Sequence, residues 1–83
     1  MGKRKRKLQR TSRTWRVLNY AVCEPNQWTC RAIADDLEDN FQRITAAASF
    51  LAQKGYIVKG VQIGNSKALF PTPKGVEALH TAV

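Results

Sequence analysis

The chain has 83 residues, which is enough for one small domain with a single hydrophobic core. Its formal charge of +8 favours a polyanionic partner such as a nucleic acid. No apolar run approaches the roughly 18 residues needed to cross a bilayer, and no apolar segment follows the basic N-terminus as it would in a secretory signal. We therefore expect no membrane partner and a cytoplasmic, nucleoid-associated protein.

The charge is concentrated at the N-terminus. No acidic residue precedes Glu24, whereas the rest of the chain is nearly balanced. A block of like charge with little apolar surface cannot fold alone, so we predict a flexible basic arm over residues 1–10 and a folded domain over residues 11–83. A nuclear-localisation-like or ribosomal-type tail, or a solubilising segment, is the alternative interpretation. The N-terminal residues expected to contact DNA phosphates are Lys3, Arg4, Lys5, Arg6, Lys7, Arg10 and Arg13.

Two helices are predicted first. Apolar residues recur at helical spacing from Thr14 until Pro25 stops the first helix, and Thr11, Ser12 or Thr14 could cap it. Thr29 is predicted to cap the second helix, which ends near Glu38. The residues predicted to face the core from these helices are Trp15, Leu18, Ala21, Val22, Ile33, Ala34 and Leu37.

A third helix is predicted to begin at Asp39 or Asn40, because Asp39 and Gln42 have the spacing of a capping box. It ends before Gly55, a residue suited to the left-handed conformation that terminates helices. The inward stripe of this helix is predicted to be Ile44, Ala48 and Leu51, with Ala47 beside it.

A β-hairpin and a short fourth helix follow. Residues 56–63 favour an extended strand, residues 64–67 supply turn chemistry, and Ala68 starts the return strand. Thr72 is then predicted to cap a helix whose first position is Pro73 and which ends at about Ala82.

The second and third helices form a helix-turn-helix pattern, in which the second helix of the motif enters the major groove of DNA. Outward residues of that helix suit base recognition: Arg43 can donate bidentately to guanine, Gln42 to adenine, and Thr45 or Ala46 can pack against a thymine methyl. An ordinary solvated helix face is the alternative. The candidate DNA-binding residues beyond the N-terminal ones are Asn40, Gln42, Arg43, Thr45, Ala46, Ser49, Lys59 and Lys67.

Four acidic residues cluster around the turn between these helices, where they would repel phosphate. They could form a solvated helix end, lie on the side of the domain away from DNA, pair with the arm, or contact a basic protein partner. The residues proposed for such a partner are Asp35, Asp36 and Glu38, with Asp39 completing the cluster.

Catalysis and metal binding have little support in the sequence. His80 is the only histidine, and Cys23 and Cys30 would complete at most three zinc ligands at an unfamiliar spacing. We interpret both cysteines as small buried hydrophobic residues. We therefore expect no enzymatic activity, no metal and no cofactor.

From Thr29 to Gly75 the chain resembles the winged helix-turn-helix superfamily, in particular small bacterial and phage regulators of the MarR and PadR type. Residues 29–37, 44–51, 54–57 and 72–79 carry the resemblance. It implies an α+β fold with a three-helix core, a two-stranded wing and a short C-terminal helix, with the outward residues of 40–49 as the recognition surface and Lys67 at the wing tip. Those regulators usually dimerise through long terminal helices, whereas the fourth helix here is short, so we expect a monomer or weak homodimer.

Together these observations predict a non-catalytic protein that binds double-stranded DNA, a small transcriptional or replication-associated regulator of phage, plasmid or bacterial origin. Two alternatives stay open, since winged helices also serve other functions. One is a protein-interaction module that binds or inhibits a nucleic-acid-processing partner. The other is an RNA- or ribosome-binding protein.

Overall fold

The computed structural model describes residues 12–82, so the predicted arm over residues 1–10 lies outside the described residues. The elements, in chain order, are α1 (Arg13–Cys23), α2 (Cys30–Leu37), α3 (Phe41–Gln53), β1 (Ile57–Ile63), β2 (Ser66–Pro71) and α4 (Pro73–His80). The two strands pair antiparallel. This order of elements confirms the predicted α+β class with a hairpin between the third and fourth helices. None of the helices within residues 12–82 is long and apolar enough to cross a membrane.

Side-chain caps fix the start of each helix. Ser12, Thr29 and Thr72 each accept a hydrogen bond from a backbone amide three residues ahead, which confirms the predicted caps of α2 and α4. At α3, Asn40 Oδ1 accepts from the amides of Gln42 at 2.8 Å and of Arg43 at 3.2 Å. The predicted capping box between Asp39 and Gln42 is therefore wrong, and the alternative start at Asn40 is confirmed.

The turn between α2 and α3 depends on one residue in an uncommon conformation. Glu38 has a φ of 54°, in the left-handed region, and its amide donates to the carbonyl groups of Ala34 and Asp35. Only Asp39 and Asn40 then separate this cap from α3. The tight turn fixes the angle at which α3 leaves α2.

The core lies among the three N-terminal helices and the inner face of the hairpin. The inward stripes of α2 and α3 are confirmed, except that Leu37 is half-buried. In α1 the prediction missed Val17, which is fully buried, while Trp15 and Val22 are half-buried. The largest fully buried side chains are Leu18, Ile33, Ile44, Leu51, Ile57, Leu69 and Val17.

The cysteines differ from the expectation of two buried residues. Cys23, in the last turn of α1, is exposed, so that part of the prediction is wrong. Cys30 is half-buried at the start of α2. Both are free thiols.

The hairpin turn is tighter than predicted. Ile63 pairs with Ser66, so the turn consists of Gly64 and Asn65 alone, and Ser66 and Lys67 belong to β2. Gly64 has a φ of 62° at the first turn position, as in a type II′ turn. Such a turn matches the right-handed twist of the two strands, which explains why two residues suffice.

A β-bulge interrupts β1 between Lys59 and Gln62. The side chain of Asn26, from the loop between α1 and α2, lies against this bulge and accepts a hydrogen bond from the amide of Val61 at 3.1 Å. The same loop also pairs with β2, because the amide of Asn26 donates to Leu69 O and the amide of Leu69 donates to Trp28 O, each at 2.9 Å. The hairpin is thus held to the helical part of the domain along β2.

Candidate nucleic-acid interface

The exposed face of α3 is the centre of the candidate site. Its buried stripe directs the opposite face outward, and the exposed residues there include four of the five predicted recognition residues: Gln42, Arg43, Ala46 and Ser49. Thr45 departs from the predicted outward orientation. It is half-buried, and its hydroxyl has no hydrogen-bond partner among residues 12–82. Asn40 is exposed, but its side-chain oxygen is already occupied as the helix cap.

A groove of about 440 Å³ separates α3 from the hairpin, and we call it the hairpin groove. Phe41 and Thr45 form its helical wall, while Lys59 and Lys67 reach it from the two strands. Both lysines are exposed. The remaining lining residues are Cys30, Gln62, Asn65 and Ser66. The structure therefore brings the two predicted hairpin lysines to the same side of α3.

Cys30 lies in the wall of the hairpin groove. Burial raises the pKa of its thiol, and the positive charge of Lys59 offsets part of this rise. Because reactivity belongs to the thiolate, the raised pKa disfavours nucleophilic or redox chemistry at neutral pH. The groove is lined mainly by polar and cationic side chains.

On the other side of α3 lies a second groove of about 380 Å³, which we call the α1 cleft. Arg13 and Thr14 enter it from the first turn of α1, and Arg43 enters from α3. It is completed by Ala46, Ala47 and Phe50. Two predicted DNA-binding arginines, one on each helix, are thus brought to one cleft.

Arg13 is also engaged within the protein. Its Nε donates to Asp39 Oδ2 at 2.6 Å, and Asp39 Oδ1 accepts from the amide of Asn40 at 2.6 Å. The bond from Arg13, followed by that backbone bond, lowers the pKa of the Asp39 carboxyl. These contacts connect the first residue of α1 to the residue that caps α3.

The acidic cluster is divided between two environments. Asp36 accepts a hydrogen bond from the Tyr20 hydroxyl, and Asp39 pairs with Arg13, so each of these two carboxylates binds α1. Asp35 and Glu38 are exposed. Desolvation, together with the bond to Asp36, raises the pKa of Tyr20 to about 12. Two of the four carboxylates therefore have a structural role. The interpretation of the cluster as a solvated helix end does not account for these two bonds.

The fold is similar to that of several solved regulators. A transcriptional regulator of the MarR family from Rhodococcus sp. RHA1 aligns with a TM-score of 0.74 and 19% identity over 82% of this chain and 49% of that chain. The PcaV transcriptional regulator from Streptomyces coelicolor aligns with a TM-score of 0.72 and 26% identity, over 84% of this chain and 52% of that chain. MepR in the Staphylococcus aureus MepR–DNA complex aligns with a TM-score of 0.72 and 19% identity, over 86% of this chain and 54% of that chain. The chain spans about half the length of these proteins. No protein-family model and no curated protein sequence matches it.

The chain belongs to the winged helix-turn-helix superfamily. In this winged helix the β1–β2 hairpin is the wing, and α2, its tight turn and α3 form the helix-turn-helix. The hairpin groove lies between the wing and the second helix of that motif, and the α1 cleft lies on its far side.

One cation of the winged helix was missed by the sequence reasoning. Arg31, in the first turn of α2, is exposed and lies with its guanidinium 4.3 Å from the centre of the Phe41 ring. Phe41 lines the hairpin groove, so Arg31 contacts a residue in the wall of that groove. The sequence spacing of Arg31 and Phe41 did not indicate this contact, because it depends on the turn that brings α2 and α3 together.

The described part of the winged helix, residues 12–82, contains no group of three or more histidine, cysteine, aspartate or glutamate residues that could hold a metal ion. His80 is exposed at the end of α4, remote in sequence from both grooves. The chemistry that this surface offers is hydrogen bonding and positive charge.

Proposed function

We propose that this protein is a non-catalytic regulator that binds double-stranded DNA, with α3 in the major groove. The observation that carries the proposal is the exposed face of α3, where Gln42, Arg43, Ala46 and Ser49 lie between two grooves edged by basic residues. A helix of this kind fits the major groove, which is about 12 Å wide.

The side chains on this face match the donor and acceptor pattern of base edges. Arg43 carries the paired donors that suit guanine O6 and N7, and Gln42 suits the N6 and N7 positions of adenine. Ala46 and Ser49 are small, so the helix backbone can approach the bases closely. This division assigns recognition to two long polar residues and close approach to two small ones.

In this proposal the wing and the arm contact the DNA phosphates. Lys59 and Lys67 on the wing form a cationic border on one side of α3, and Arg31 lies against Phe41 in the wall of the same groove. The six basic residues within residues 1–10 account for six of the eight net charges. Such contacts add affinity without sequence preference and fix the position of the protein on the duplex.

The similar fold of transcriptional regulators, one of them in a DNA complex, supports a regulatory role. We place the protein among small transcriptional or replication-associated regulators of phage, plasmid or bacterial origin. It acts as a monomer or weak homodimer in this proposal.

The test is selection of bound fragments from a library of random duplexes with the full 83-residue chain. A short enriched motif is the expected result. The double variant Gln42→Ala with Arg43→Ala should lose the motif while keeping weak duplex binding. The matched control is Lys54→Ala, which removes an exposed charge from the C-terminal end of the same helix and should retain the motif.

Absence of any motif, with equal affinity for duplex DNA and for single-stranded RNA, would contradict the proposal. That result would favour RNA binding through the arm. Absence of nucleic-acid binding altogether would favour the protein-interaction alternative through Asp35, Asp36 and Glu38.

A further inference from the structure

Tyr20 and Trp28 form a tilted pair of aromatic rings outside the surface assigned to DNA. Tyr20 belongs to α1, whereas Trp28 precedes the cap of α2, and the two ring centres are 4.6 Å apart. Both side chains are half-buried, so each remains partly exposed. The backbone carbonyl of Trp28 accepts a hydrogen bond from the amide of Leu69 at 2.9 Å. The two rings are therefore held in place by α1 and by β2.

A cavity of about 300 Å³ opens beside these rings, and we call it the aromatic pocket. Its other lining residues come from the C-terminal half of α1 and its cap: Asn19, Cys23 and Glu24. The aromatic pocket shares no lining residue with the hairpin groove or the α1 cleft. Ligand pockets in proteins measure about 300 to 1,000 Å³, so this volume suits a small molecule or a head group.

The charges nearest the aromatic pocket are mainly negative. Trp28 Nε1 donates to Glu24 Oε1 at 2.5 Å, and the Tyr20 hydroxyl donates to Asp36, so each ring is bonded to a carboxylate. The pocket also lies at the C-terminal end of α1, where the helix dipole favours a cation, and the last turn of this helix has no basic residue. Arg16 adds a positive charge near Tyr20, but it does not line the pocket.

Aromatic faces attract cations, and this chain makes such contacts elsewhere. Three rings within residues 12–82 have a cation of the chain within 6 Å of their centres. These contacts are Arg31 on Phe41, Lys54 on Phe50 and Lys74 on Tyr56. No residue of this described part makes such a contact with Tyr20 or Trp28. The aromatic pocket therefore offers two ring faces and a carboxylate to a cation from another molecule.

We propose that the aromatic pocket binds the head group of a small organic cation of the alkylammonium class. The rings of Tyr20 and Trp28 supply the cation–π contact, and the Glu24 carboxylate pairs with the charge. A quaternary ammonium fits these partners well, because its methyl groups pack against the rings and it has no N–H that needs an acceptor. The site is independent of DNA binding, which uses the exposed face of α3.

Titration of the full chain with choline, followed by proton–nitrogen NMR, tests this proposal. The chain has two tryptophans, and each gives its own indole N–H signal. The signal of Trp28 should move along a saturable curve. The signal of Trp15, whose indole donates to Leu79 O, should move far less. Sodium chloride at equal concentration is the control for ionic strength, and tetralysine, titrated in parallel, distinguishes a free cation from a lysine-rich partner.

The role of the charge is tested with dimethylbutanol, the neutral isostere in which carbon replaces the nitrogen of choline. It should bind roughly 3- to 30-fold more weakly than choline. Glu24→Gln should weaken choline binding and leave the affinity for the alcohol unchanged, because the amide keeps the shape and can still accept from Trp28. The matched control is Glu77→Gln, at an exposed position of α4, which should change neither affinity. Thermal melts check that both variants are folded.

Equal affinity for choline and the alcohol would overturn the proposal, because the charge would then contribute nothing. An equal effect of the two glutamine variants would also overturn it, since the attraction would come from the overall charge of the protein. Tetralysine binding without a saturable response to choline would assign the pocket to a protein side chain and overturn the small-cation proposal. None of these outcomes bears on the selection of DNA by α3.

Discussion

The backbone of Gly75 in α4 packs directly against the carbonyl group of Tyr56. A Cβ atom at position 75 would lie 2.0 Å from Tyr56 O and 2.8 Å from its carbonyl carbon. The same carbonyl accepts a hydrogen bond from the amide of Thr72 at 3.0 Å. Since the neighbouring atoms are backbone atoms within a bonded turn, no side-chain rotation can make room there.

The first prediction follows from that contact. Gly75→Ala should destabilise the domain by about 1 to 3 kcal/mol or more, because α4 must move away from the residues between α3 and β1. Thermal melts measure the effect. The control is Lys74→Ala, at the exposed neighbouring position, which should change the melting temperature little. Equal melting temperatures for the two variants would show that α4 does not pack as described.

The second prediction concerns the core stripe of α3. Leu51 is fully buried, so Leu51→Ala should lower the free energy of unfolding by about 2 to 5 kcal/mol through the cavity that it leaves. Ser49→Ala, two positions away on the exposed face, is the matched control for chemical denaturation. A loss of stability in the serine variant that equals the loss in the leucine variant would contradict the assignment of these faces.

The third prediction addresses recognition. Arg43→Ala should reduce the discrimination between the selected motif and a one-base variant by about 1 to 3 kcal/mol, the value of one bidentate base contact. Competition binding at fixed salt measures it. Because Arg43 is exposed, the melting temperature should stay close to that of the wild type. If discrimination is unchanged, Arg43 does not read a base.

The fourth prediction isolates the arm. Deletion of residues 1–10 removes six basic side chains and none of the described core. The slope of log affinity against log salt should become shallower by about 0.9 for each phosphate that the shortened chain no longer neutralises. Titrations of several duplexes at a series of salt concentrations provide the measurement. An unaltered slope with full affinity would show that the arm does not contact DNA.

The fifth prediction is a pH dependence. The pKa of Tyr20 is raised from 10.0 to about 12, chiefly by desolvation and then by its bond to Asp36. Since the neutral phenol is the favoured form in the folded state, its contribution to stability is complete below about pH 10 and is lost as the pH rises through about 12.

Absorbance of the phenolate in a Tyr56→Phe background follows Tyr20 alone, because the chain has two tyrosines. Asp36→Asn should lower the pKa of Tyr20 by removing the carboxylate that binds its hydroxyl. A titration curve that is identical with and without the carboxylate would contradict the bond between these two side chains.

Local chemistry explains why much of the fold could be predicted from the sequence. The caps at Thr29 and Thr72 and the helix end at Gly55 depend on residues close in the chain, and all three lie where they were expected. The inward stripe of α3 follows from helical spacing alone. The same information indicated which residues of α3 are exposed, with Thr45 as the exception.

The features that the sequence did not predict depend on contacts between residues that are distant in the chain. Asp39 fits a capping box by spacing, but Arg13, 26 positions away, binds its carboxylate, and Asn40 caps the helix instead. Likewise, the hydroxyl of Thr45 is buried, although helical spacing alone placed this residue on the outward face of α3. The two grooves that define the candidate site could not be predicted, since each joins elements far apart in the chain.

The contacts of Asn26 have a consequence for how the wing meets a partner. Its side chain binds the bulge of β1 and its backbone binds β2, so both strands are fastened to the loop after α1. The wing is therefore a stiff extension of the helices, with its shape and inclination set before association. Little conformational freedom would be given up there on binding, so the entropic cost of placing Lys59 and Lys67 against a ligand should be small.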